Sequence, residues 1–290
     1  MADQATGPVL VGVYNPAHVQ QLVRTAGDLA RPSNGEVRLV TVAVKPYDSP
    51  FGVFADDTIV DEYAAASHDL LERAEAPEGV TVERDVVVAR SAAKGLLAAV
   101  EQTDPSALLV GWTRTGRADA VFGSTVDRLV ERAPCDLYVE RVGREADGVD
   151  SVLLPVAGGP HVDTAARVAA VIADANDATV VVYGVDAADD GDAAAFVEDG
   201  RAAVAAVPGI DPAVETVTVA ADDVTAAIVE AADDHDVLVM GATRQGALRR
   251  KLAGSVPRRV VERTDRTVIL ARSAGVVGGL GHWLGGLFRR

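Results

Sequence analysis

The chain has 290 residues, 49% of them hydrophobic, enough for one large domain or two of ordinary size. Its formal charge of −16 comes from 29 Asp and 14 Glu against 24 Arg and three Lys. That balance excludes a general nucleic-acid-binding role, because affinity for a phosphate backbone needs clustered positive charge. No apolar run reaches the roughly 18 residues of a membrane-spanning helix, and "MADQATGPVL" has neither the basic start nor the apolar core of a signal peptide. A lone cysteine, Cys135, leaves no internal disulfide and fits a reducing interior, so the expected location is the cytoplasm.

In chain order, short β-branched runs predict buried parallel strands at Val9–Val13, Val37–Val44, Val80–Val88, Ala107–Val110 and Leu137–Val139. A second set follows at Val152–Val156, Ala178–Val185, Val214–Val219, Val237–Met240 and Val268–Leu270. Alanine-rich helical stretches such as "HVQQLVRTAGDLA" and "HVDTAARVAAVIADA" separate them. Strands alternating with helices predict doubly wound parallel sheets, whose ligands sit beyond the carboxyl ends of the strands where the topology switches.

The two sets are copies of one unit. "VLVGVYNPAHV" (Val9–Val19) lies over "VLLPVAGGPHV" (Val152–Val162), "LLVGWTRTG" (Leu108–Gly116) over "LVMGATRQG" (Leu238–Gly246), and "VERAPCDLYVER" (Val130–Arg141) over "VERTDRTVILAR" (Val261–Arg272). The expected organisation is a first domain at 1–142, a polar linker at 143–150, a second domain at 151–273 and a C-terminal tail at 274–290. The fold class is α/β, with two flavodoxin/Rossmann-like parallel-sheet domains in tandem forming an intrachain pseudo-dimer; further dimerisation stays open.

The fourth strand of each copy ends in a glycine-bounded loop with a basic middle: "GWTRTGRADAVFGSTV" (Gly111–Val126) and "GATRQGALRRKLAGSV" (Gly241–Val256). Gly123–Ser124 and Gly254–Ser255 each open a helix-like run. A helix N-terminus offers unpaired N–H groups and a positive dipole end, glycine lets oxygens approach the backbone, and serine adds a donor. Arg114 and Arg244 occupy equivalent positions, and a guanidinium pairs bidentately with phosphate. Arg249, Arg250, Lys251, Arg258 and Arg259 make the second loop the more basic. Two common phosphate motifs are excluded. Ala247 and Leu248 stand where a P-loop needs Lys and Ser/Thr, and no G-x-G-x-x-G follows a strand. An anion cradle and a purely structural strand–turn–helix corner both fit these residues.

With these motifs in place, the chain resembles tandem universal stress proteins of the UspA type, in the adenine-nucleotide-hydrolase-like superfamily. Nucleotide-binding members carry G-x2-G-x9-G-[S/T] after the fourth strand; Gly241, Gly254 and Ser255 fall on that spacing. Arg244 stands at the middle glycine and Gly246 two residues later, while the first copy, Gly111 to Gly123, is one residue short with Arg114 in the middle. Such members also carry an aspartate after the first strand, where this chain has Tyr14-Asn15 and Ala157-Gly158. The resemblance implies ATP or AMP as ligand, with Mg2+ only where ATP is bound, and an adenine-side wall at Val182 and Ala157. The expected site is Gly241, Arg244, Gly246, Gly254 and Ser255, with Gly111, Arg114, Gly123 and Ser124 as the weaker counterpart. "NPAHVQQLVRTAGDLA", "VLLPVAGGPHV" and "GATRQG" more narrowly resemble the cytosolic stress-protein modules of archaeal amino-acid/cation permeases. The Asp-rich, Lys-poor composition resembles that of proteins from salt-loving archaea.

The tail, "GVVGGLGHWLGGLFRR", puts Val276, Val277, Leu280, Trp283, Leu284, Leu287 and Phe288 on one helical stripe ending in Arg289-Arg290. It suits docking on its own or a second subunit, or a peripheral membrane contact at the inner face. Elsewhere, the five histidines show no metal-ligand spacing, and His18 and His161, equivalent in the repeat, are expected at helix starts as caps or loop contacts. "DDGD" (Asp189–Asp192) and "DDHD" (Asp233–Asp236) lack a Ca2+-loop pattern, and no Ser/His/Asp arrangement is legible. The expected function is a regulatory binding protein rather than an enzyme. A module regulating an amino-acid transporter and a slow ATP hydrolase are the alternatives.

Overall fold

The computed structural model describes residues 7–33, 35–44, 67–112, 123–143, 148–187, 191–242 and 255–274. The chain divides into two compact units, Met1–Leu137 and Tyr138–Arg290.

In the first unit, β1 (Val9–Val13) pairs in parallel with β2 (Glu36–Val44) on one side and β4 (Ala107–Trp112) on the other, and β2 pairs with β3 (Thr81–Ala89). The order β3-β2-β1-β4 follows from burial. β1 and β4 are buried at every position, as their unbroken apolar runs require, whereas β3 carries Glu83, Arg84 and Asp85 and lies at the edge. Arg84 ties that edge down by donating from Nε to Leu71 O at 3.1 Å and from Nη2 to Ala74 O at 2.7 Å. The helices are α1 (Val19–Ala30), α2 (Ala92–Thr103) and α3 (Gly123–Arg132); Ser91 caps α2 by accepting from Lys94 N–H at 3.3 Å. β5 (Asp136–Arg141) spans the boundary between the units.

The second unit repeats the plan with β6 (Ser151–Val156), β7 (Thr179–Asp186), β8 (Ala213–Ala220), β9 (Val237–Gly241) and β10 (Thr267–Arg272), ordered β8-β7-β6-β9-β10 and parallel throughout. Its helices are α4 (Val162–Asn176), α5 (Ala193–Ala205), α6 (Val224–Ala232) and α7 (Ser255–Arg263). α4 buries an alanine-rich face, and Leu153, Leu154, Leu238 and Ile269 are fully enclosed in the core. α5 approaches the sheet closely because Gly200 has no side chain: a Cβ there would stand 2.9 Å from both Val156 Cγ1 and Val182 Cγ1. Asp223 caps α6, its Oδ1 accepting from Thr225 N–H at 2.9 Å and Ala226 N–H at 3.1 Å.

Every strand expected from the sequence is present, with ends shifted by at most two residues, and the doubly wound parallel α/β class holds for both copies. No helix among the described residues is long and apolar enough to cross a membrane. The linker interior 144–147 and the tail from residue 275 lie outside the described residues.

Candidate ligand site at the carboxyl ends of β6, β7 and β9

The chain winds from β6 outward to β7 and β8, then returns through α6 to β9 on the other side of β6. That reversal is the switch point at which a crevice opens in this fold class. β1 pairs with β4 over four positions, the last being Gly12 with Val110, but β6 pairs with β9 only at Val152–Val237 and Leu153–Leu238. The repeat sets Pro155 where β1 has Gly12, and proline cannot donate to a ladder. β6 stays bonded to β7 through Val156, while its ladder to β9 ends at Leu153 and Leu238.

A cavity of about 260 Å3 lies over the carboxyl ends of these strands. Val156, Ala157 and Gly158 from the end of β6 form one side, with Tyr183, Val185 and Asp186 of β7 beside them. Phe196 of α5 closes over Gly158, whose φ of +70° holds the turn after β6 and whose missing Cβ would meet the Phe196 ring at 2.8 Å. Val224 and Ile228 of α6, Met240 and Gly241 of β9, and Val256 and Pro257 of α7 complete the wall.

Helix N-termini meet the cavity on several sides, since Val162, Ala193 and Val224, which open α4, α5 and α6, all line it. Next to Gly241 lies the first turn of α7, where the positive end of the helix dipole meets the cavity. Pro257 lacks an N–H, so Ser255 and Val256 supply the leading donors of that turn. On the β7 side the lining carries Asp186 and Asp192. Asp186 Oδ1 accepts from Ala193 N–H at 3.0 Å and so caps α5 from the end of β7, while the N-cap residue Asp192 makes no side-chain cap bond. β9 and β7 flank β6, so two strand spacings put about 10 Å between Gly241 at the end of β9 and Asp186 at the end of β7.

His161 is buried against Gly241: a Cβ on that glycine would lie 3.1 Å from His161 Cβ. Its Nδ1 accepts from Ser273 N–H at 3.1 Å, which places the ring proton on Nε2. Of the two outcomes expected for this histidine, a cap or a loop contact, the second holds; neither His18 nor His161 makes a side-chain cap bond. Tyr183 donates to Ala227 O at 3.4 Å, and burial, with Glu230 nearby, pushes its hydroxyl above the usual tyrosine range.

The residues expected from the sequence distribute as follows. Gly241 and Ala157 line the cavity. Val182 does not: strand alternation turns it under Gly200, fully buried, and presents Tyr183 and Val185 instead. Ser255 is the first residue of α7, while Arg244, Gly246 and Gly254 lie outside the described residues. In the first unit Gly111 lies near the end of β4 against Leu22, where a Cβ on the glycine would stand 3.0 Å from Leu22 Cδ1. Gly123 and Ser124 begin α3, and Arg114 is outside the described residues. That unit carries the exposed Tyr14 and the buried Trp112 where the second has Ala157 and Ala242. Of the acidic stretches, Asp236 binds backbone, its Oδ2 accepting from Asp150 N–H at 2.8 Å and Ser151 N–H at 3.1 Å; 189–190 lie outside the described residues. Among the described residues no group of three or more His, Cys, Asp or Glu could hold a metal ion. Sequence reasoning missed His161, Tyr183, Asp186 and Phe196 as cavity residues.

A family model described as the Universal stress protein family matches residues 6–141 and 148–272. No curated protein matches the chain. Among solved structures, it is similar to a functionally unknown protein from Pseudomonas aeruginosa PAO1, at 13% identity, TM-score 0.62 and 98% coverage of each chain. It is also similar to a universal stress protein from Archaeoglobus fulgidus DSM 4304, at 15% identity and TM-score 0.60, over 92% of this chain and 97% of that one. A putative universal stress protein from Pseudomonas aeruginosa UCBPP-PA14 matches at 14% identity and TM-score 0.58, over 96% of each chain. These likenesses concern the fold.

Proposed function

The chain belongs to the universal stress protein family, and we propose that it is a regulatory binding protein whose second domain senses an adenine nucleotide, ATP or AMP. The observation that carries this reading is the cavity at the carboxyl ends of β6, β7 and β9, lined by the α7 N-terminus beside β9 and by carboxylates beside β7. A nucleotide has the complementary polarity: phosphate suits the α7 N-terminus, an apolar base suits the wall of Val156, Tyr183 and Phe196, and an amine suits the carboxylates. Arg244, Gly254 and Ser255, the first residue of α7, are the expected phosphate partners. Mg2+ would accompany ATP through its phosphates, since the described lining offers no ligand cage. Occupancy then alters what the protein contacts. The test is mass spectrometry of small molecules retained by the native protein purified in high salt. Retained AMP or ATP, lost in a Gly254→Val, Ser255→Ala variant, supports the reading; a protein that retains none and binds none on titration overturns it.

The apolar stripe at 274–290 favours a second reading, a nucleotide-independent module that meets a membrane-embedded transporter. Membrane-fraction association of the full chain, lost on removing 274–290, would support it; equal solubility of both forms would sink it.

A further inference from the structure

We infer that Asp186 determines which base the second-domain cavity accepts, by taking a hydrogen bond from the exocyclic amine of adenine. This inference rests on the nucleotide reading of the cavity. The lining is apolar along most of its length, so the polar groups that do face it decide orientation and identity. Two carboxylates line the end away from α7, and they are not equivalent. Asp192 is exposed and makes no side-chain bond to its helix, so it can turn to water. Asp186 is half-buried at the last position of β7, and its carboxylate is oriented by the bond from Ala193 N–H to Oδ1 at 3.0 Å. A carboxylate so held presents Oδ2 as an acceptor that costs little to order.

An acceptor fixed at that end discriminates between purines. Adenine carries an amine at C6, which donates to a carboxylate oxygen; hypoxanthine carries a carbonyl there, which opposes it acceptor to acceptor. With phosphate anchored at the α7 N-terminus on the β9 side, and β9 about 10 Å from β7 by two strand spacings, the base cannot slide freely to offer another edge. A pocket built around one hydrogen bond rejects the analogue that cannot make it, because its own polar group is left unpaired. Guided by the strength of bonds to charged groups, the expected preference is about tenfold or more.

The experiment is calorimetric titration of the full chain and its Asp186→Asn variant with AMP and with IMP, in one high-salt buffer. An asparagine keeps an oxygen for Ala193 N–H and places its amide N–H2 where Oδ2 stood, so the α5 cap survives while the acceptor becomes a donor. The wild type should bind AMP about tenfold or more tighter than IMP. Asp186→Asn should lower AMP affinity, raise IMP affinity and bring the ratio to about one or below. Equal wild-type affinities, or a ratio unchanged in the variant, overturn the inference and leave nucleotide binding standing. Failure of the wild type to bind either nucleotide overturns both.

Discussion

Pro155 in β6 stands where its repeat counterpart in β1 is Gly12, and the ladder to the adjoining strand is shorter by two positions. Gly12 pairs with Val110, whereas pairing between β6 and β9 ends at Leu153 and Leu238. A proline removes a donor and fixes its own φ, so it resists continuation of a central ladder. Replacing it with glycine should extend the pairing toward Gly241 and narrow the cavity. In a Pro155→Gly variant, backbone amides of 239–241 should gain hydrogen-exchange protection, and affinity for AMP should drop. Unchanged exchange there would show that the ladder ends for another reason.

The repeat made the strands, the Gly241 turn and the start of α7 legible, because apolar runs and turn glycines are local signals. Most of the cavity wall carried no such signal. Phe196 sits on an alanine-rich helix whose pattern marks no single functional face, and it matters only because Gly158 leaves space beneath its ring. Asp186 belongs to no motif in the sequence, and His161 reads only as a helix start; their roles come from Ala193 and Ser273, the latter distant in sequence. Val182, the wall residue that the family resemblance implies, packs under Gly200, while Tyr183 one position on lines the cavity, because a strand of period two exchanges faces at each residue.

Ser273 N–H depends on His161 for its acceptor, and the histidine is only 3% exposed. A His161→Ala change removes that acceptor and leaves a space beside Gly241. The expected cost is about 2–4 kcal/mol, combining an unsatisfied donor with a cavity. His18, its counterpart in the repeat, is only half-buried, so His18→Ala should cost clearly less. Urea unfolding of both variants measures the difference. Equal losses would show that the Ser273 contact adds nothing.

Gly200 separates two opposing effects. By helix propensity alone, Gly200→Ala would stabilise α5 by up to about 1 kcal/mol. Sterically, the added Cβ would meet Val156 Cγ1 and Val182 Cγ1 at 2.9 Å, and Val182 is fully buried on a rigid β-branched side chain. Overpacking of this kind costs about 1–3 kcal/mol, so the net effect should be a lower melting temperature. A raised melting temperature would mean that α5 moves off the sheet without penalty.

His235 should give the fold a pH dependence of definite sign. Its Nδ1 lies 3.0 Å from Ser151 Oγ at the start of β6. Burial holds its pKa below the ordinary histidine range; Asp234 and Asp236 favour the charged ring, Arg266 opposes it and Glu215 favours it, without overcoming burial. In the window between the lowered folded value and the unfolded value of about 6.5, the unfolded chain binds the proton more readily. Stability from this group is therefore fully present above the unfolded value and is lost as pH falls through the folded one. Urea unfolding from pH 8 to 5 should show wild-type stability falling more steeply than that of a His235→Gln variant, whose neutral amide keeps a partner for Ser151 but does not titrate. The difference between the two curves isolates His235 from the many carboxylates that titrate lower. Parallel curves would show that His235 takes up its proton equally in both states.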